Sequence, residues 1–277
     1  MKMSQIVVGS YAHYRYSFDY FLDLMDRLPV KNIELWAAGP HLYFDDYTYP
    51  MIRDFYAGIK ARGLHVVCVT PEQCMYPINI GSDDPIMRDR SIRYFKKAID
   101  TAEIMEAPKA LVTVGQHLVD HDRDTAFRLT AEALAELADY AAPKGVMVVL
   151  EHLTRGCSCV AVTAKEVKDV LDAVGPRPNL KPMIDTDMAA RIDESPKDYL
   201  EVFGKELSHV HFIDGMPGGH LVPGDGVLPM ARYLEELDAA GYQNHISLEV
   251  MNAQYYLDPN PAIERSIRFF EEYLANH

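Results

Sequence analysis

Positive charge is in short supply: the 277 residues carry 27 lysines and arginines against 41 aspartates and glutamates, a formal net charge of -14. Binding a nucleic-acid backbone requires a basic surface, so no nucleic-acid partner is expected, and the acidity reads as a solvated exterior. Cysteine is sparse as well, with only Cys68, Cys74, Cys157 and Cys159. Cys157-Ser158-Cys159 is too tightly spaced for a zinc knuckle and no second pair matches it, so reduced thiols in a cytoplasmic protein are expected. No apolar run is long enough to cross a bilayer, and the opening MKMSQIVVGS has no apolar stretch leading to a small-residue cleavage site. A cytoplasmic location with no membrane partner follows as an expectation. Also missing is a glycine-rich GxGxxG turn: the first apolar run is followed by SYAHYRYSFDY, rich in tyrosine, which argues against a dinucleotide-binding open sheet.

What the chain does have is apolar content, 48% of residues, enough for a sizeable core without disulfide or metal staples. Short β-branched runs fall at 6–10, 32–36, 65–70, 109–114, 146–151, 181–186, 208–214 and 245–250. Amphipathic helical patterns lie between them at 87–106, 122–145, 163–174, 196–203, 229–240 and 260–274. Strand–helix alternation without a linker or a break in composition predicts one (β/α)8 TIM barrel spanning 1–277, with its active site at the C-terminal ends of the strands.

Side-chain alternation makes that expectation specific. If Val146, Val148 and Leu150 face the helices, Glu151 faces the barrel axis; likewise Ile184 sets Asp185 inward, and Ile246, Leu248 and Val250 set Glu249 inward. On the seventh strand Val210 and Phe212 face out, which turns His209, His211 and Ile213 in. Four consecutive strands thus each aim an ionisable group at the axis near the top. Burying them together costs several kcal/mol unless something compensates. An internal ion-pair network is one solution and a divalent cation the simpler one. Three carboxylates and an imidazole suit manganese first, with cobalt, magnesium or zinc as alternatives. His211 lies nearer the strand end and is the better ligand; His209, deeper by one pleat repeat, reads as a hydrogen-bonded core residue.

Strings along nearly the whole chain then carry a likeness: IELWAAGPH (33–41 with its leading residue at 33), TPEQCMYPIN (70–79), QH (116–117), LEHLTR (150–155), MIDT (183–186), HVHFID (209–214), PGDG (223–226) and SLEV (247–250). In this order and spacing they resemble the sugar phosphate isomerase/epimerase superfamily of xylose-isomerase-like barrels, and within it the fructoselysine and ketose 3-epimerases. The resemblance implies metal ligands at Glu151, Asp185, His211 and Glu249, with Glu151 and Glu249 also the catalytic pair that exchanges a proton at carbon 3 through a metal-stabilised enediolate. It implies substrate contacts from Glu34, Trp36, Glu72, His117 and Arg155. Two departures stand out. Met188 occupies a position where many ketose 3-epimerases have histidine, and the stretch GMPGGH lacks their arginine, with His220 its replacement. Both favour a substituted sugar, such as a ketose–amino acid adduct, over a free ketohexose.

Beside this, GMPGGHLVPGDG reads as a lid over the pocket rather than a phosphate cradle, since it holds no lysine or arginine, and Asp214 as an orienter of an imidazole or a substrate hydroxyl. Tyr11, Tyr14, Tyr16, Trp36, Tyr43, Phe44, Tyr255 and Tyr256 fall in or near top-face loops. They wall off an apolar substituent, bury a homo-oligomer contact, or simply pack the loops. Rival readings are the metal-binding subunit of a C-glycoside-cleaving complex, which needs a second chain, and a non-catalytic sugar-binding protein, which has no use for two facing glutamates.

Overall fold

Parallel strands that are apolar on both faces need helices outside and a filled interior, and closing the sheet on itself supplies both. The computed structural model covers residues 1–277 and describes all of them except His117 and Cys159. In chain order the elements are β1 (Ile6–Gly9), α1 (Phe18–Arg27), β2 (Asn32–Ala37), α2 (Tyr49–Ala61), β3 (His65–Pro71), α3 (Pro85–Ile104), β4 (Lys109–Thr113), α4 (Arg123–Ala141), β5 (Met147–Glu151) and α5 (Ala164–Val174). They continue with β6 (Leu180–Asp185), α6 (Thr186–Ala190), α7 (Pro196–Phe203), β7 (His209–His211), α8 (Met230–Ala239), β8 (His245–Leu248) and α9 (Asn260–Asn276). The strands close in sequence order into a parallel barrel, β8 pairing back onto β1. The expected (β/α)8 fold is the fold observed. Among the described residues no helix is long and apolar enough to cross a membrane.

Local chemistry starts and stops the helices where the loops need them. Ser17 accepts from the Tyr20 amide to cap α1, and Thr163 and Glu166 form a reciprocal capping box at α5. Gly175 ends α5 with a φ of 76°, a conformation that favours glycine. The outward sides of the strands, among them Val148, Leu150, Ile184, Val210, Ile246 and Leu248, join the inner faces of the helices in one large core. Each such large side chain stabilises the fold by roughly 1.5–3 kcal/mol.

The barrel interior is divided. On the β3–β6 side its middle layer is apolar, a separate cluster of Cys68, Leu111, Val149 and Met183, with the buried Lys109 at the start of β4 below it. The opposite side is polar: Glu34 of β2, His209 and His211 of β7 and Ser247 of β8 are all fully buried. In register, Glu34 lies beside Cys68 and Met183 beside His209, whereas Asp185 and His211 pair one layer above the apolar cluster.

Among the strands, the seventh falls furthest short of its expected length. The seventh strand ends at His211, because Asp214 instead bridges to Leu221 in the following loop. Ile213 therefore leaves the axis and joins the outer core, a correction to its inward reading.

Burial also sets a pH limit on the fold. Desolvation pulls the pKa of His13 from 6.5 to about 4, and does the same for His245, with Lys109 adding repulsion there. Their folded-state values lie below the unfolded one. As pH falls through 6.5 the unfolded chain takes up protons that the folded chain refuses until about 4. Each group then removes about 1.4 kcal/mol of stability per pH unit. Urea unfolding at about pH 7.5 and about pH 5 is expected to show a smaller loss on acidification in His13→Gln/His245→Gln than in wild type. Parallel losses in the two proteins would contradict this.

Candidate metal centre and active site

Glu151 closes β5, Asp185 closes β6, His211 closes β7 and Glu249 directly follows β8, so the alternation that buries their neighbours carries all four to the C-terminal mouth of the barrel. One ligand atom from each lies within 4.8 Å of all the others. Asp185 divides its carboxylate: one oxygen accepts from the Met188 amide at 2.8 Å and caps α6, leaving the other for the site.

The fit to a cation is tested by what these atoms lack. Oε1 of Glu151, Oδ2 of Asp185, Nδ1 of His211 and Oε2 of Glu249 are all buried without a hydrogen-bond partner. Yet Nδ1 of His211 lies 3.0 Å from Glu151 and 2.7 Å from Glu249. Its other nitrogen, Nε2, is 2.9 Å from Glu34 and donates to it. A bare Nδ1 lone pair facing two carboxylate oxygens is repulsive, so a proton or a metal ion must lie between them. Without metal the proton does so: burial opposes charging His211, but Glu249, Glu34 and Glu151 outweigh it and push its pKa well above the ordinary value. Burial likewise pushes the Glu151 carboxyl up, with His211 opposing, and raises Asp185, with His220 opposing. Three carboxylates around one imidazole, with free oxygens converging, fit a divalent cation.

Beneath the cluster, Glu34 departs from its expected part as a substrate contact. It is fully buried, and its carboxylate accepts from Tyr11 (3.0 Å), Thr70, His209 (2.9 Å) and His211 (2.9 Å). With no exposed oxygen it cannot reach a substrate hydroxyl. Burial opposes its charge, but His211 and His209 hold its pKa well below the carboxylate range. His209 occupies the supporting position expected of it, its own pKa lowered by burial to about 3. Its Nδ1 faces Lys109 at 3.4 Å, and the Lys109 ammonium also donates to the Ser208 carbonyl at 2.6 Å. Burial lowers that ammonium to a pKa of about 8. Lys109 was not singled out from the sequence. The signal was its inward parity with Leu111 and Thr113, disguised by its place at the start of a strand.

The remaining expected substrate contacts are spread more widely. Trp36, buried, donates from Nε1 to Glu72 at 3.2 Å and packs against Tyr11, with Tyr14, Tyr76 and Met251 around them. Tyr11 stands edge-on to His211 at 6.1 Å, so this aromatic group walls one side of the mouth. Glu72 also accepts from the Met75 amide at 2.7 Å. Each of its oxygens thus holds one protein donor, so Glu72 braces the wall. His220 comes close to the cluster: its Nε2 is 3.7 Å from Asp185 and 3.8 Å from Glu249, and its Nδ1 3.5 Å from the buried Asp187. Arg155 is exposed in the loop after β5, where its charge acts on Glu166 at the start of α5. His117 lies outside the described residues.

The loop after β7 is pinned rather than free to swing, and Asp214 pins it. Fully buried, Asp214 accepts from the amides of Gly215, Gly224, Gly226 and Leu228 at 2.7–3.0 Å. It therefore organises the loop backbone instead of orienting an imidazole. Cβ atoms added at Gly226 or Gly215 would collide with Asp214 or Asp187, which is why the turns are glycine. Asp214→Ala strands buried amides and is expected to cost on the order of 3 kcal/mol. Thermal unfolding measures it, and a change under about 0.5 kcal/mol would show that the loop does not depend on this carboxylate.

With the geometry in place, the chain can be set beside known proteins. A profile of the xylose isomerase-like TIM barrel family matches residues 22–273. The chain is 27% identical over 276 residues to the fructoselysine 3-epimerase of Shigella flexneri, across 99% of this chain and 98% of that protein. Its fold is similar to that of the D-psicose 3-epimerase of Clostridium cellulolyticum H10 with D-tagatose, with a TM-score of 0.79 at 17% identity over 98% of each chain. It is also similar to that of the IOLI protein with a zinc atom, with a TM-score of 0.80 at 15% identity over 98% of each. Family profile, strand order and strand-end residues agree: the chain belongs to the xylose isomerase-like TIM barrel family.

Proposed function

We propose that this protein is a divalent-metal-dependent epimerase acting at carbon 3 of a ketose or a ketose–amino acid adduct, with Glu151 and Glu249 as its two proton carriers. The broader class, an isomerase of the epimerase kind, comes from full-length relatives that bear that name. The finer reading rests on one observation above all. Of the four clustered side chains, His211 and Asp185 are 0% exposed, whereas Glu151 and Glu249 keep 8% and 16% of their side-chain surface. The first pair can anchor a metal; only the second pair can also touch a substrate.

Glu151 ends β5 and Glu249 follows β8, with β6 and β7 between them around the wall, so they approach a pocket centred between them from different sides. One carboxylate removes the proton from carbon 3 on its face while the other delivers a proton to the opposite face, which inverts the centre. Glu151, Asp185, His211 and Glu249 would hold the cation, manganese in the first instance, with cobalt, magnesium or zinc as alternatives. When bound, the cation supplies Lewis acidity that draws electron density from the carbonyl and makes the neighbouring C–H bond acidic. The Tyr11–Trp36 wall limits water on one side, strengthening the electrostatics inside. His220, 24% exposed beside Asp185 and Glu249, would hydrogen bond a substrate hydroxyl in this reading. The adduct reading draws support from the fructoselysine 3-epimerase relatives and from Met188 and the arginine-free GMPGGH stretch.

NMR in deuterated water with manganese added, across ketoses and their amino-acid adducts, tests the proposal. Deuterium appearing at carbon 3 of one compound is the expected result and identifies the substrate class. No exchange in any compound, with metal demonstrably bound, would overturn it in favour of the C-glycoside-cleaving subunit.

A further inference from the structure

Resting on the metal reading above, we infer that Glu34 is a positioning residue that fixes the His211 imidazole as the Nε2–H tautomer, so that Nδ1 is the nitrogen offered to the metal. A buried chain of hydrogen bonds that crosses the barrel sets which atoms donate.

The chain starts at Lys109 on β4. An ammonium has donors only, so where it meets Nδ1 of His209 at 3.4 Å, Nδ1 must be the acceptor. That leaves the proton on Nε2 of His209, which donates to Oε2 of Glu34 at 2.9 Å. The other oxygen of Glu34, Oε1, receives the Tyr11 and Thr70 hydroxyls as well as Nε2 of His211 at 2.9 Å. Four donors converge on one carboxylate that has no solvent access. Such a group is an acceptor only, so Nε2 of His211 must carry its proton. Donation thus converges on Glu34 from both sides, from Lys109 through His209 and from His211, and it leaves Nδ1 of His211 as the one nitrogen of that ring without a hydrogen-bond partner.

Placement explains why the site needs this. His211 is the single nitrogen ligand among oxygen ligands, and a five-membered ring can present either nitrogen to the cluster. Were Nδ1 protonated, its hydrogen would point at the metal position and the set would lose its only imidazole donor. Glu34 removes that choice, and the Tyr11 and Thr70 hydroxyls, from β2's two neighbouring segments, keep its carboxylate from rotating away. Outer partners of this kind commonly change metal affinity by about 10–100-fold.

Glu34→Gln preserves shape but breaks the logic. An amide has one accepting end and one donating end, so one of the two imidazoles must face a donor with a donor. Isothermal titration with zinc is expected to show affinity weaker by about 10-fold or more, at a temperature where circular dichroism shows the variant folded. A second measurement needs no Glu34 variant. In zinc-loaded wild type, long-range ¹H–¹⁵N NMR should show His211, assigned by loss of its signals in His211→Ala, protonated at Nε2 and shifted by zinc at Nδ1. A folded Glu34→Gln that binds zinc within about twofold of wild type, or a His211 protonated at Nδ1, would overturn the inference. A wild type that binds neither zinc nor manganese would instead overturn the metal reading beneath it. The outcomes separate the two.

Discussion

Glu151→Gln and Glu249→Gln are each expected to lower epimerisation by roughly 10²–10⁴-fold, the usual worth of a positioned general acid or base. The fold should survive, since both side chains retain some exposure and glutamine keeps their shape. What distinguishes this from general damage is the pattern of residual exchange. With Glu249 silenced, Glu151 can still remove and return a proton on its own face, so one epimer exchanges deuterium without inverting. With Glu151 silenced, the other epimer does so. Complementary specificities in the two variants are the mark of a proton carrier on each face, and deuterium incorporation by NMR reads them directly. Near-normal epimerisation in either variant would eliminate the two-carrier mechanism. Metal content is measured alongside, because both residues also belong to the cluster of candidate ligands.

The two histidines of HVHFID should part company when each is shortened. His211→Ala removes the only nitrogen of the set and is expected to weaken metal binding by more than about 100-fold, beyond what loss of an outer partner does. His209→Ala leaves the Lys109 ammonium and one side of Glu34 without their shared partner, at a cost of roughly 1–3 kcal/mol in stability. It should still take up metal. Metal analysis after dialysis and thermal unfolding give both numbers for both variants. Full metal loss from a folded His209→Ala would exchange the two assignments.

Much of this site could be read from strand parity. The apolar neighbours of Glu151, Asp185, His211 and Glu249 settle on the outer core, and a period of two then leaves each ionisable residue no side but the axis. Parity fails where a strand stops, as at Ile213, because pairing ends once Asp214 turns to Leu221. Direction alone also says nothing of depth. Glu34 points inward as expected, but it lies a layer below the mouth, where hydrogen-bond partners rather than substrate determine its use. Asp214 was legible as important but not as a loop anchor, since its four partners are backbone amides that no sequence string displays. Helices α1 and α2 escaped the periodic reading for a different reason. Both are amphipathic, burying Phe21, Leu22, Leu24 and Met25 in α1 and Ile52, Tyr56 and Ile59 in α2, but these apolar faces are short and set among tyrosine-rich loops.

The polar wall of the barrel interior has a consequence for how this protein can change. Aliphatic side chains in place of Glu34, His209 and Lys109 would extend the Cys68–Val149 cluster around the axis and avoid desolvating three ionisable groups. Exchanges of that kind often leave a protein as stable as before, or more stable by about 1–4 kcal/mol. Selection for heat resistance alone would therefore reach this trio early and erase the chemistry while improving the scaffold. Durability in this barrel is better sought in its outer helices, where nothing competes with the centre.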